Sequence, residues 1–328
     1  MENQTSKIDV SIIIVNYKSW KHLKNCLQSL SFDSSSFSFE IIVVDNHSDD
    51  GVLIDFEKEF SKVNFILNSG NNGFANGCNF GSTHANGDYF LFLNPDTIAN
   101  EDAILKMWKF AKMSPSTGIV SCQQRKIKGG YEKSARIFPN LFTLFGLTRA
   151  IYKRVNRKQI HSKFEIQNNI LFPDWVSGSV VFISKEWLNQ VGGWDEDYWM
   201  YYEDMDLCKR VQVANGKIAL LKSVEIIHNH GGASRINIKT ASITKNEVLI
   251  SKHVYIHNNF KGFEKFLSQL LIVINNIVIK LLLAVLGTLL FFIPKMRLNV
   301  YLFANCIKYY TASIFRLSWL SKKSMNVK

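Results

Sequence analysis

Cysteine is scarce and scattered in this chain: Cys26, Cys78, Cys122, Cys208 and Cys306, an odd number with no C-x-x-C pair. Such spacing excludes a disulfide framework and a zinc knuckle, and it fits a reducing cytoplasm. The polar stretch 1–9 has no apolar core of the kind a secretory signal carries, so export by such a signal is not expected. Acidic side chains are in deficit, 27 against 39 lysines and arginines, leaving a net charge of +12. The basic residues gather in 125–133, in 152–163 and after Ile293, but without the interleaved aromatics of a single-strand groove or any nucleic-acid motif. Nucleic acid is therefore not an expected partner; an anionic substrate and an anionic membrane surface are. A G-x-G-x-x-G loop and a Walker pattern are also missing, which argues against dinucleotide binding and kinase-type phosphoryl transfer.

What is present begins with strands. With 328 residues and 47% hydrophobic content, the chain can bury one substantial core and carry a smaller second region. Val10-Ser11-Ile12-Ile13-Ile14-Val15 is a β-branched run suited to a strand buried on both faces. Trp20, Leu23, Leu27 and Leu30 then recur at helical spacing, and further strands are expected at Ile41-Ile42-Val43-Val44, Phe65-Ile66-Leu67 and Tyr89-Phe90-Leu91-Phe92-Leu93. This alternation predicts right-handed crossovers and a mostly parallel sheet, with ligands bound beyond the carboxyl ends of the strands. Asn16-Tyr17, Asp45-Asn46 and Asn94-Pro95-Asp96 stand at those ends, converging on one crevice. Between them lies Asn71-Asn72-Gly73-Phe74-Ala75-Asn76-Gly77, whose glycines admit a ligand close to the backbone and whose Phe74 can cover a ring. Each also has a structural reading. Asp45 suits an Asx-type turn, Asp96 an N-cap before a helix at Ala103 to Ala111, and Asn72-Gly73 a tight turn.

A second concentration of chemistry lies at Gly192-Gly193-Trp194-Asp195-Glu196-Asp197-Tyr198-Trp199-Met200-Tyr201-Tyr202-Glu203-Asp204-Met205-Asp206-Leu207. Carboxylates among large aromatics in a basic protein are paired, metal-bound or tuned to accept a proton. A helix from Met200 to Val213, stopped by Asn215-Gly216, sets Asp206 four residues before Arg210 as an ion pair and leaves its acids near the N-terminal end.

Five segments in order resemble the glycosyltransferases of family 2, over Val10 to about Ser234, and most nearly the bacterial rhamnosyltransferases of surface-polysaccharide assembly. They are the opening strand through Asn16-Tyr17, Val43-Val44-Asp45-Asn46-His47-Ser48, the glycine loop Asn72 to Gly77, Leu93-Asn94-Pro95-Asp96 in place of D-x-D, and Tyr202-Glu203-Asp204-Met205-Asp206-Leu207. The resemblance implies the GT-A fold, an α/β architecture with a mostly parallel central sheet flanked by helices. It implies a nucleotide-sugar donor held by Asn16, Tyr17, Asp45, Asn46, Asn72, Gly73, Phe74, Asn76, Asn94 and Asp96, with Asp45 on the nucleobase. Asp204 takes the place of the general base, with Glu203 as fallback, and Gly178, Trp194 and Asp195 border the acceptor. Mg²⁺ or Mn²⁺ would sit on Asp96 with His230, in preference to His228; Asn94 supplies only a neutral carbonyl. The activity implied is inverting transfer of a sugar, L-rhamnose from dTDP-rhamnose first and a hexosyl or galactofuranosyl unit second, to a lipid-linked glycan. A non-catalytic nucleotide-sugar-binding partner in an assembly complex is the reading from a different class.

Residues 1–240 are expected to form the catalytic domain and 241–328 a helical, membrane-associating region. Trp175-Val176-Ser177-Gly178-Ser179-Val180-Val181-Phe182-Ile183 reads as one strand. Leu281 to Ile293 is strongly apolar, but Asn275, Asn276 and Lys280 interrupt it upstream and Pro294 closes it, so it falls short of a span of about twenty residues. With Lys295, Arg297, Lys308, Arg316, Lys322 and Lys323, it suits the cytoplasmic face of an anionic membrane, as a peripheral or monotopic contact.

Overall fold

A computed structural model describes residues 7–229 and 238–326. They fall into two compact units, one of residues 7–138, Arg157–Asp195 and 203–229, the other of Pro139–Asn156, Glu196–Tyr202 and 238–326.

The first unit opens with β1 (Val10–Asn16), α1 (Trp20–Ser29), β2 (Phe39–Asp45), α2 (Leu53–Glu59), β3 (Asn64–Leu67), α3 (Phe74–Thr83) and β4 (Tyr89–Leu93). Every residue of β1 is buried, as its unbroken β-branched run requires. α1 brings Leu23, Cys26 and Leu27 to the core, and α3 brings Ala75, Gly77, Cys78 and Gly81. α3 approaches β1 so closely that a Cβ on Gly81 would meet Ile13 Cγ2 at 2.5 Å and one on Gly77 would meet Val15 Cγ1 at 2.7 Å. The four strands pair in parallel in the order β3-β2-β1-β4, as the alternation predicts.

Beyond β4 come β5 (Thr97–Ile98), α4 (Glu101–Met113), β6 (Thr117–Lys126) and β7 (Ala135–Arg136). In the second unit lies α5 (Gly146–Val155); the first resumes with α6 (Arg157–Ser162), β8 (Ile170–Leu171), β9 (Trp175–Val176), β10 (Val180–Ser184), α7 (Lys185–Gln190), α8 (Glu203–Val213) and β11 (Lys217–His228). The main sheet continues β4-β10-β6-β11-β5, with β8 on β11; β10, β5 and β8 run antiparallel to their neighbours and β6-β11 parallel. The sheet is thus mixed, parallel in its first half and interrupted by β10 in its second.

Three local expectations change. The strand expected over Trp175 to Ile183 breaks at Ser177-Gly178-Ser179: β9 pairs with β7 in a two-stranded ribbon while β10 joins the main sheet. The helix expected from Met200 begins at Glu203, because Tyr201 and Tyr202 both hold left-handed backbone, φ 73° and 71°, which only glycine adopts without strain. Asn100 caps α4 by accepting from Ala103 N at 2.9 Å, with Glu101 and Asp102 in the first turn, so Asp96 does not serve as the cap.

The second unit adds α9 (Ile238–Asn259), α10 (Gly262–Leu289) and α11 (Pro294–Arg316). α10 is continuous through Asn275, Asn276 and Lys280 for 28 residues, about 42 Å at 1.5 Å per residue. The apolar segment is therefore longer than the sequence pattern indicates. Asn276 Nδ2 donates to the Tyr310 hydroxyl at 3.1 Å, which supplies a partner for its polar group within the apolar helix. By length and composition α10 is the one helix among the described residues that can cross a membrane; 17% of its most apolar window is buried.

Candidate active site

At the end of β1, Asn16 is fully buried; its Oδ1 accepts from Ser19 N at 3.2 Å, and its Nδ2 has no partner. Tyr17 beside it is 45% exposed. At the end of β2, Asp45 is buried and accepts from Ser48 N at 3.2 Å and from the Ser48 hydroxyl, while Ser48 Oγ accepts from Lys18 N. The Asx-type turn is real. Burial pushes the Asp45 carboxyl up from its ordinary range against the Ser48 hydrogen bonds.

Asn46 fastens the glycine loop. Its Nδ2 donates to Gly73 O at 3.0 Å and to Asn71 Oδ1 at 3.3 Å, while its Oδ1 accepts from Asn68 Nδ2, which also donates to Asn76 Oδ1. Gly73, at φ 93°, turns the chain into α3. Asn72, half-buried, lies at this turn, where its Nδ2 donates to Ser69 Oγ at 3.4 Å. Phe74 meets Trp194 edge-on at 5.5 Å, and Trp194, 1% exposed, meets Phe92 edge-on at 5.1 Å. Asn79 on α3 pairs with the Trp194 backbone, donating to its O and accepting from its N. Trp194 is therefore a core residue tied to the glycine-loop helix, and Asp195 beside it is half-buried.

Asp96 sits in the turn between β4 and β5 with its side chain 9% exposed, 3.3 Å from His228 Nε2. His228 Nδ1 faces Gln124 Oε1 at 3.1 Å and Glu132 at 3.2 Å. Burial lowers the affinity of this imidazole for a proton, but Asp96 and Glu132 outweigh it and raise its pKa. His230 lies outside the described residues; the imidazole found beside Asp96 is His228, the one that the sequence pattern ranks lower.

On the acidic side, Asp204 is placed by the break at Gly178. Gly178 N donates to Asp204 Oδ2 at 2.9 Å and Met205 N to Oδ1 at 2.8 Å. A Cβ on Gly178 would stand 3.1 Å from Asp204 Cβ, so the glycine makes room for the carboxylate itself. Burial raises the Asp204 pKa, opposed by those backbone donors and by Arg136. Glu203 is 8% exposed, with Oε2 buried and unpartnered; burial first and the Asp204 charge second push its pKa well up. Asp206 pairs with Arg210 at 2.7 Å, and Arg210 also donates to Val191 O and Gly193 O, clamping the Gly-Gly turn before Trp194.

The two sides are joined by a chain of hydrogen bonds. Asn94 N donates to Ser179 O at 3.1 Å; Ser179 Oγ donates to Gln124 Oε1 at 2.8 Å; Gln124 reaches His228, and His228 reaches Asp96. Gln124, Glu132 and Ser179 thus join the candidate site, and no local sequence pattern announces them.

Buried polar residues at the carboxyl ends of parallel strands, with a half-buried carboxylate held at the three-residue break between β9 and β10, are the arrangement of a GT-A glycosyltransferase. The chain matches the description "Glycosyl transferase family 2" over residues 11–174, half its length, and belongs to that family. Residues 158–230 also match "N-terminal domain of galactosyltransferase". Among curated relatives it is 29% identical to low-salt glycan biosynthesis hexosyltransferase Agl10 of Haloferax volcanii, covering 69% of each chain. It is 28% identical to rhamnosyltransferase WbbL of Escherichia coli, over 67% of this chain and 83% of the relative. It is 24% identical to N-acetylglucosaminyl-diphospho-decaprenol L-rhamnosyltransferase of Mycobacterium tuberculosis, over 66% and 75%. The solved structures of GalNAc-T7 with UDP, GalNAc and Mn²⁺ (TM-score 0.52, 13% identity) and of S. aureus TarS (0.50, 17%) share the fold. This chain spans 50% and 41% of those two chains, and they span 77% and 78% of it.

Proposed function

We propose that the protein is an inverting transferase that moves L-rhamnose from dTDP-rhamnose to a lipid-linked surface glycan at the cytoplasmic face of the membrane. Residues 1–240 would act as the catalytic domain and 241–328 as the membrane-associating region. The observation that carries the chemistry is Asp204, held by two backbone N–H groups and raised by burial. In one displacement Asp204 takes the proton of the acceptor hydroxyl, whose oxygen bonds to the anomeric carbon as the bond to the diphosphate breaks. Asn16, Asp45, Asn46 and the glycine loop would hold the nucleoside, and Gly178 with the Trp194-Asp195 turn would border the acceptor.

Among the described residues, no three His, Cys, Asp or Glu side chains form a metal-binding group. Asp96 and His228 still fit a divalent ion that draws its remaining ligands from the donor. The Nδ1 side of the imidazole faces Glu132 and Gln124, an arrangement that orients Nε2. His230 would be a further ligand. Mg²⁺ or Mn²⁺ bound there would stabilise the negative charge of the departing nucleoside diphosphate.

The rhamnosyl reading rests on WbbL and the mycobacterial relative, and the decaprenol in the latter's name supports a lipid-linked acceptor. Agl10 and the match over 158–230 favour a hexosyl or galactofuranosyl unit as the second reading. A panel of nucleotide sugars with a lipid-linked acceptor, read by mass spectrometry with and without Mn²⁺, separates them. Transfer from no donor would overturn the enzymatic proposal. Truncation before Phe266 should release the protein from membranes; full pelleting of the truncated chain would refute the tail assignment.

A further inference from the structure

The second unit contains a cavity of about 240 Å³ that the transfer reaction does not use. Glu247 on α9, Lys308 and Arg316 on α11, and Ser321, Lys322 and Lys323 beyond it line the space. Four cations face one carboxylate, and that carboxylate is buried: Glu247 is 5% exposed, Ser321 hydrogen-bonds it, and its Oε2 has no partner. Arg316 is fixed by its Nε on Ala312 O at 3.3 Å, and its Nη1 is likewise buried without a partner. Lys323 Nζ lies 3.7 Å over the Trp199 ring. Buried polar groups in native proteins are ordinarily satisfied, and an incomplete set at a cavity wall marks a place where a ligand contributes.

We propose that this cavity binds a phosphate ester whose hydroxyl groups lie next to the phosphate, presented as the headgroup of a lipid. The cations recognise the phosphate, Arg316 and the lysines by charge-assisted hydrogen bonds. Glu247, which when ionised can accept but not donate, would repel a bare phosphate and selects an ester carrying O–H donors. The volume equals roughly eight waters, enough for a phosphate with a short polyol and too small for acyl chains. The same unit exposes Phe263, Phe266, Leu270 and Leu282 on α10, apolar surface suited to a ligand that brings its own hydrocarbon. The site is independent of which sugar the first unit transfers.

The test is acetylation footprinting of Lys322 and Lys323 by mass spectrometry, on full-length protein in phosphatidylcholine vesicles. Phosphatidylglycerol added to the bilayer should protect both lysines at least five-fold. Phosphatidic acid, which has the phosphate without the hydroxyls, should protect less, as should soluble glycerol 1-phosphate; inorganic phosphate at equal ionic strength should not protect. Arg316→Gln should abolish the protection by phosphatidylglycerol, and the exposed Lys322→Gln, read at Lys323, should weaken it without a folding defect. Glu247→Gln should erase the preference for phosphatidylglycerol over phosphatidic acid. Equal protection by the two lipids in the unaltered protein would reduce the site to diffuse charge and overturn the proposal. Protection by glycerol 1-phosphate as strong as by phosphatidylglycerol would overturn the lipid source.

Discussion

Replacing Gly178 by alanine tests whether the proposed base is held in place by the break in the strand. The new Cβ would stand 3.1 Å from Asp204 Cβ and 3.5 Å from Oδ2, where carbon atoms ordinarily rest about 3.5–4.0 Å apart. Gly178 is not in left-handed backbone, so alanine adds no strain of its own and the contact alone is probed. To relieve it, the start of α8 or the Ser177-Ser179 loop must retreat by a few tenths of an ångström, stretching the 2.9 Å bond from Gly178 N to Asp204 Oδ2. Weakening a hydrogen bond to a charged group costs about 1.5–3 kcal/mol when the bond is lost entirely. A reacting group misplaced by about 1 Å loses on the order of 100-fold in rate, so a shift of a third of that predicts about a five-fold fall in kcat. The assay is steady-state transfer with donor and acceptor varied separately, beside circular dichroism. The expected result is a lower kcat with an unchanged donor KM and a folded protein. An unaltered kcat in a folded variant would refute the reasoning; a raised donor KM would place Gly178 on the donor side.

Asp204→Asn should lower kcat by about 10²–10⁴ while nucleotide binding by calorimetry is unchanged; an unaltered kcat would refute Asp204 as the base, and undiminished glycan assembly in cells by a variant without transfer activity would support a non-catalytic binding protein. Because burial raises the Asp204 pKa, kcat/KM should climb with pH and level off at a pH above the ordinary aspartate range, a limb that Asp204→Asn removes. Glu203→Gln should stabilise the protein near pH 8 and leave it unchanged near pH 4. A carboxyl whose folded pKa lies above its ordinary 4.5 contributes stability below that value and loses it as pH rises through the folded pKa. Each kcal/mol so gained should raise Tm by about 2–4 °C in calorimetry; a lowered Tm at pH 8 would contradict the unpaired carboxylate. Asn46→Ala removes the anchor of the glycine loop and should cost about 1–3 kcal/mol in urea unfolding with a raised donor KM.

The parallel half of the sheet is readable in the sequence because β1, β2 and β4 are short apolar runs whose partners follow within one crossover. The rest is not, for stated reasons. β10 pairs with β4 across some ninety residues, and its separation from β9 is set by Gly178 N on Asp204 and Ser177 N on Ser134 O, contacts that no local pattern encodes. The Asp206–Arg210 pair is legible from its i,i+4 spacing, whereas Asp96 is singled out by its place after a strand and Asp204 by the family resemblance. Gln124, Glu132 and Ser179 are not legible, since buried polar residues inside strands have no periodic signature until the sheet brings His228 against them. The length of α10 escaped because Asn276 finds its partner on another helix, the Tyr310 hydroxyl.

The consecutive residues Gly178 and Ser179 carry a constraint on how this enzyme can evolve. The Gly178 N–H holds the proposed base and the Ser179 carbonyl holds the Asn94 backbone, so these two residues work as a spacer of fixed length. An inserted residue lengthens that spacer by about 3.5 Å, more than a hydrogen bond can bridge, and a deletion removes it. Length changes elsewhere on the surface can be absorbed by loops; here they would pull the proposed base out of register with the Asn94 turn. Variation in acceptor choice should therefore arise by substitution around this spacer and by insertion in other loops, never by a change in its length.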